Sequence, residues 1–237
     1  MTSRILAPLL LWAVTSAVAL AEATNVKLRT LCLQRIDGIK EVFLVSGDPA
    51  NPKLTPLPLY TSDYSDEIEV TMDSKTVRFA IKKTNGKGEQ KLQIVAEGRL
   101  KDGARQVAVF LPSGNKTQPY RTLFMNESAT EFPMGSTRIV NYTSATVQFI
   151  IGEHGLMLKP GKVGMVPLPQ KVNSMSQCTV KLYYQDNNGV WILCNSSGWK
   201  VSDRTRTMAL TYIHPQTRRP TVNSFRETPP WLEGGLR

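Results

Sequence analysis

The sequence predicts an all-β chain: two β-sandwich domains, immunoglobulin-like or related, behind an N-terminal signal peptide. Three observations predict it. Beyond the first 21 residues no window sustains apolar residues at i, i+3, i+4 and i+7, so amphipathic helices are not expected. Short runs rich in Val, Ile, Thr, Tyr and Phe recur along the whole chain, many with period-2 alternation. Clusters of Gly, Pro, Asn and Asp stand between them, as in Ser46-Gly47-Asp48-Pro49, Asn85-Gly86-Lys87-Gly88, Lys159-Pro160-Gly161 and Asp186-Asn187-Asn188-Gly189. Many short strands at this spacing favour a sandwich or barrel.

Taken in order, Met1 to Arg4 carry one positive charge, and an apolar run from Ile5 to Leu20 follows, ending in Ala19-Leu20-Ala21 before Glu22. That is the charge, apolar stretch and small-x-small site of a cleavable export signal, with processing expected after Ala21. The run falls short of the roughly 20 apolar residues of a membrane span. Cys32 lies too far beyond it for a lipoprotein anchor, and no second spanning stretch follows. The expected location is therefore the periplasm or the extracellular space, with no transmembrane segment after cleavage.

The predicted strands of the first half are 26–33, 41–45, 68–72, 76–82, 91–100 and 106–111. Those of the second are 120–126, 135–142, 146–152, 156–158, 164–168, 178–184, 190–194, 208–213 and 221–225. The polar stretch Pro112-Ser113-Gly114-Asn115-Lys116-Thr117-Gln118-Pro119 places the expected boundary between domains 25–113 and 118–226, with 227–237 as an irregular tail. Val42-Phe43-Leu44-Val45-Ser46-Gly47 and Val109-Phe110-Leu111-Pro112-Ser113-Gly114 admit two readings, a distant repeat of the halves or a chance match, since a strand followed by Ser-Gly is common.

Three cysteines allow at most one intrachain disulfide. Cys178 and Cys194 flank a predicted hairpin. A turn at 186–189 puts 185 opposite 190, 178 opposite 197 and 194 opposite 181, so the pair is out of register for a bond that needs Cα atoms within about 7 Å. A bridge and a pair of buried reduced thiols both stand as readings.

The candidates for chemistry are sparse. The two histidines, His154 and His214, sit in loop-like settings without partner motifs. The tetrads Ser113-Gly114-Asn115-Lys116 and Ser197-Gly198-Trp199-Lys200 have the spacing of serine–lysine acylases, but neither lies on a predicted helix. Asp63, Asp66, Glu67 and Glu69 lack the loop spacing and glycine of a calcium motif and read as a solvated strand entry. No cofactor, metal or catalytic residue is assigned.

What remains is surface. Trp191 and Trp199, with Tyr183 and Tyr184 across the hairpin, could anchor a protein or stack on a sugar, and cross-strand packing is the alternative. Lys82, Lys83 and Lys87 bracket a Gly-rich turn and could meet an anionic surface. A formal charge of +10 favours acidic proteins, glycans or anionic surfaces, while aromatic interleaving suited to nucleic acid is absent.

The segment Phe132-Pro133-Met134-Gly135-Ser136-Thr137-Arg138-Ile139-Val140-Asn141-Tyr142-Thr143, with Leu158-Lys159-Pro160-Gly161, Trp191 to Trp199 and a final hairpin, resembles exported two-domain β-rich proteins of Verrucomicrobia and Planctomycetes type. The resemblance runs from about Ile36 onward and implies fold and export but no activity. A looser likeness connects the chain to periplasmic pilus chaperones, whose donor-strand edge and paired basic anchors are not recognisable here. The expected function is a non-enzymatic binding or structural protein of the periplasm or cell envelope. The alternatives are a chaperone or assembly factor acting by strand-edge pairing, and a hydrolase built from residues too scattered for spacing to reveal.

Overall fold

A computed structural model describes residues 24–233 apart from 49, 85 and 87. The expected export signal and Lys87 therefore lie outside the described residues. Among the described residues sixteen strands form four sheets of four, and no helix is long and apolar enough to cross a membrane.

The first sandwich contains β1 (Thr24–Cys32), β2 (Glu41–Ser46), β3 (Lys53–Pro58), β4 (Ile68–Met72), β5 (Thr76–Thr84), β6 (Gln90–Arg99), β7 (Arg105–Pro112) and β8 (Tyr120–Asn126). Sheet I has the order β4-β1-β7-β8 and sheet II the order β3-β2-β5-β6. The second contains β9 (Thr137–Asn141), β10 (Val147–Ile151), β11 (His154–Leu158), β12 (Val163–Val166), β13 (Gln177–Gln185), β14 (Trp191–Lys200), β15 (Arg206–Ile213) and β16 (Pro220–Glu227). Its sheet III has the order β12-β9-β15-β16 and sheet IV the order β11-β10-β13-β14. A short helix, α1 (Pro230–Glu233), follows.

The two halves repeat one topology strand for strand. β1 pairs with β7 in parallel and β9 with β15 in parallel. The β5–β6 and β13–β14 hairpins each carry a bulge, at Phe79/Ala80 and Leu182/Tyr183. The repeat is real, but its register differs from the one expected: Val42 lies on β2, whose counterpart is β10, whereas Val109 lies on β7. An apolar run ending in Ser-Gly marks any strand entering a turn, so it could not define the correspondence. The order also departs from the ABED and CFG sheets of an immunoglobulin constant domain, which leaves the related-sandwich alternative.

Three further differences from expectation have local causes. The polar stretch 112–119 is the turn of the β7–β8 hairpin, with Pro112 opposite Tyr120, so β8 belongs to sheet I and the chain crosses between sandwiches after Asn126 instead of at 113–118. Strand β3 escaped the sequence reading because it contains Pro56 and Pro58; an edge strand tolerates them, since their nitrogens face away from β2. The residues taken as an irregular tail include the end of β16 and α1.

Each sandwich has its own core, around Phe79, Phe110 and Phe124 in the first and Phe149, Ile151 and Leu182 in the second. A third core joins them. On β7, Ala108 and Phe110 face sheet II, while Val107, Val109 and Leu111 face sheet III, which explains why the strand reads as one continuous apolar run. The partners of this outer face are Val140, Met208, Leu210 and Phe225. The repeat pairs these members: Leu31 with Val140, Val107 with Met208, Val109 with Leu210, Met125 with Phe225. Each such side chain contributes roughly 1.5–3 kcal/mol on burial, so the four sheets stack in the order II, I, III, IV as one body.

Candidate functional site

The largest concentration of buried charge lies at one end of the joining core. Arg29 donates to Glu127 through Nε at 2.5 Å and Nη2 at 2.6 Å, and to Glu227 through Nη1 and Nη2, both at 2.6 Å. Arg206 donates to Glu227 at 2.9 Å, to Glu127 Oε1 at 3.2 Å and to the carbonyls of Glu127 and Phe132. Two cations thus face two carboxylates, and the quartet is neutral. Burial alone would lower the Arg29 pKa, but its hydrogen bonds and the charges of Glu127 and Glu227 outweigh that and hold it above its ordinary value. Nearby, Arg138 is pulled down, chiefly by burial, and gives its protons to the carbonyls of Asn126 and Glu131. Burial first, and then the two carboxylates, push the Tyr64 hydroxyl well up, with its ring 3.8 Å from the Arg29 guanidinium carbon. Trp231 on α1 lies 4.7 and 4.3 Å from Arg29 and Arg105 of the first sandwich and 5.6 Å from Arg206 of the second, so the expected tail is a strap over both halves.

The repeat relates these groups too. Arg29 stands opposite Val107 as Arg138 stands opposite Met208, and Arg105-Gln106-Val107-Ala108-Val109 matches Arg206-Thr207-Met208-Ala209-Leu210. The cluster's work is to join the sandwiches. Sequence reasoning missed it because its members are scattered; the repeated Arg-x-x-Ala pattern was the available signal.

The candidates for chemistry considered from sequence make local contacts. Glu153 accepts the N–H groups of Gln170 and Lys171 beside His154, and His214 Nδ1 accepts those of Gln216 and Thr217 in a turn. Glu67 is engaged by Arg105 at 2.5 Å, and Lys27 lies 3.1 Å from Glu69. Among the described residues no group of three or more His, Cys, Asp or Glu gathers as a metal would need. Ser197 and Lys200 lie on strand β14 at odd spacing, hence on opposite faces.

All three cysteines are free. The turn is longer than expected, closed by Asp186 N–H to Val190 O, so Gln185 stands opposite Trp191 and Cys178 opposite Trp199, while Cys194 occupies the bulge. Cys178 faces the core and Cys194 donates its S–H to Leu182 O. The Cys178–Cys194 bridge therefore gives way to the reduced thiols.

Trp191 and Trp199 are not neighbours. They sit at the two ends of β14, and the bulge places them on opposite faces: Trp199 packs inward against the core with Cys178, whereas Trp191 lies on the outer face with Gln185. Lys82 lies on the outer face of sheet II, 4.7 Å from the Phe43 ring, and Lys83 is exposed opposite Lys91.

The outer face of sheet IV carries a row that crosses all four strands: Met157 on β11, Gln148 on β10, Tyr183 on β13 and Leu193 on β14. Met157 is 58% exposed and Leu193 47%. Among the described residues, seven of the nine exposed large hydrophobics belong to the second sandwich.

The second sandwich is also open along one seam. In the first, β8 closes on β6: Thr122 Oγ1 donates to Glu97 O at 2.6 Å, and Phe124 packs so closely that a Cβ on Gly98 would meet its ring at 2.6 Å. In the second, the position corresponding to Phe124 is Ser224, and a cavity of about 380 Å³ lies between β14 and β16. Trp199, Lys200, Thr207, Ser224 and Arg226 line it.

No protein-family model matches the chain, and no curated protein matches it.

Proposed function

We propose that the chain is an exported, non-enzymatic binding protein of the periplasm or cell envelope, and that it engages another protein through its second sandwich. The observation that carries this reading is the row Met157, Gln148, Tyr183 and Leu193 on the outer face of sheet IV, extended by Trp191. An antiparallel sheet with one solvated face ordinarily alternates apolar inward and polar outward. Here outward positions on the two edge strands and one central strand are apolar or aromatic, and an exposed patch of this kind rimmed by polar groups marks a docking surface. Tyr and Trp are the residues such surfaces use as anchors. Export rests on the Met1 to Ala21 pattern, and the likeness to exported two-domain β-rich proteins agrees with it.

The experiment is crosslinking in the native envelope followed by purification of the tagged protein, with Met157→Glu/Leu193→Glu alongside. A partner recovered in stoichiometric amount with the parent chain and lost with the double variant, at unchanged thermal stability, is the expected result. Equal recovery with both chains would remove the reading.

A further inference from the structure

We propose that the second sandwich binds an extended segment of an acidic partner by strand addition along β14, with an acidic end of that segment seated at Lys200 and Arg226. The proposal rests on the reading of the second sandwich as the partner-binding half and deepens it by naming the mode and the chemistry of the partner.

The backbone of β14 is prepared for it. Gln185 gives its N–H to Thr146 on the β10 side, so alternation along β13 turns Tyr184, Leu182, Val180 and Cys178 toward β14. Their partners Ile192, Asn195, Ser197 and Trp199 face back, which leaves Trp191, Leu193, Ser196, Gly198 and Lys200 with N–H and C=O turned outward. The acceptance of an Arg226 Nη1 hydrogen bond by Lys200 O, at 3.1 Å, agrees with this direction. β14 has one neighbour, β13, so from Trp191 to Gly198 this edge has no ladder partner among the described strands.

Edge strands are ordinarily guarded by charge, proline or brevity. Six of the other seven sheet edges carry such guards: Pro56 and Pro58 on β3, Glu69 on β4, Lys91 and Glu97 on β6, Arg121 on β8, Arg226 on β16, and only four residues in β12; β11, the seventh, has neither a charged residue nor a proline but is only five residues long. β14 is ten residues long and has neither a charged residue nor a proline from 191 to 199. The cysteine bulge is its one interruption.

The seam beside this edge sets the chemistry of the occupant. Where the first sandwich puts Phe110, Tyr120 and Phe124 on the inner faces of β7 and β8, the second has Thr211, Pro220 and Ser224, so on the β15–β16 side the seam lacks the rings that fill the first, and Trp199 of β14 is the aromatic residue that lines it. Lys200 and Arg226 line the slot and no carboxylate does. A second copy of this basic chain would bring like charge to that end; an acidic segment brings the complement. Main-chain pairing supplies affinity in strand addition, and alternate side chains entering the slot supply selectivity.

The test uses the full mature chain and two capped decapeptides of alternating Val and Thr, one ending in Asp-Glu and the other in Lys-Lys. The Asp-Glu peptide should slow amide exchange at Trp191, Leu193, Ser196 and Gly198. Lys200→Glu/Arg226→Glu should weaken its binding at least tenfold, and Ser196→Pro, which removes an outward N–H, should abolish it. Met157→Glu alone, on β11 at the far side of the sheet, should change it by less than threefold. Equal binding of both peptides, or exchange unchanged along β14, overturns strand addition. If that happens while Met157→Glu/Leu193→Glu still loses its envelope partner, the partner-binding reading stands and only the mode falls; if the partner is also retained, both fall.

Discussion

Phe124 and Ser224 occupy the same place in the two halves of the molecule, each opposite an alanine, Ala108 and Ala209, on the inner face of a sheet. One closes its sandwich against β6 and the other leaves a slot beside β14. The same topology is thus finished in the first half and left open in the second.

Closing the slot is a direct check. Ser224→Phe should raise stability to chemical unfolding by about 1 kcal/mol, in the range of cavity-filling changes, whereas Phe124→Ser should lower it by about 3–5 kcal/mol. A destabilised Ser224→Phe would show that the seam cannot accept the ring its counterpart holds.

Gly98 is where the first sandwich closes. A Cβ there would lie 2.2 Å from Thr122 Oγ1. Gly98→Ala should therefore cost about 1–3 kcal/mol by overpacking, measured as a lower urea midpoint at constant slope.

The arginine and glutamate quartet predicts non-additivity. Glu127→Ala leaves Arg29 and Arg206 short of a buried counter-charge and should cost about 3–5 kcal/mol, while Arg29→Met/Glu127→Leu should cost less than the sum of its singles. Additive losses in a double-mutant cycle would mean that the two groups are not coupled.

Alkaline pH should weaken the fold through its thiols. Burial pushes the Cys32 pKa from 9.0 up to about 11 and that of Cys194 likewise up to about 11. A raised folded-state pKa stabilises the protonated form, so this contribution is intact below pH 9 and is lost as pH rises from 9 toward 11. For the fully buried Cys32 the loss is of order 3 kcal/mol. Cys32→Ser should flatten the decline in unfolding free energy between pH 9 and 11; an unchanged slope would assign the decline to other groups.

Trp231 ties three arginines from both halves, lying 4.7 Å from Arg29, 4.3 Å from Arg105 and 5.6 Å from Arg206. Trp231→Ala should reduce stability by about 1–2 kcal/mol through lost cation–π contact, and thermal unfolding reports it. No change would mean that the strap is idle.

Much of the strand inventory was legible because alternation and turn chemistry are local. Strand β3 was not, since its prolines mimic a loop until the edge position that tolerates them is known. The supposed linker at 112–119 has the composition of both a domain boundary and a hairpin turn; only the pairing of Leu111 with Arg121 and Pro112 with Tyr120 separates the two. Trp191 and Trp199 looked like one aromatic patch, and the bulge at Cys194 sends them to opposite faces. Of the surface expected from sequence, Trp191 lies on the proposed face and Trp199 lines the proposed slot, whereas Lys82 and Lys83 belong to the other sandwich.

Backbone preference and the in-out period act over a few residues, so the all-β class and most of the strands are written locally in the chain, as is the scarcity of catalytic spacing. Tertiary structure alone decided the parallel pairing of β1 with β7, the stacking of sheet I on sheet III, the quartet of Arg29, Glu127, Arg206 and Glu227, and the open seam at β14. Those depend on contacts between residues far apart in the chain, whose identities carry no mark of their partners until the sheets are packed.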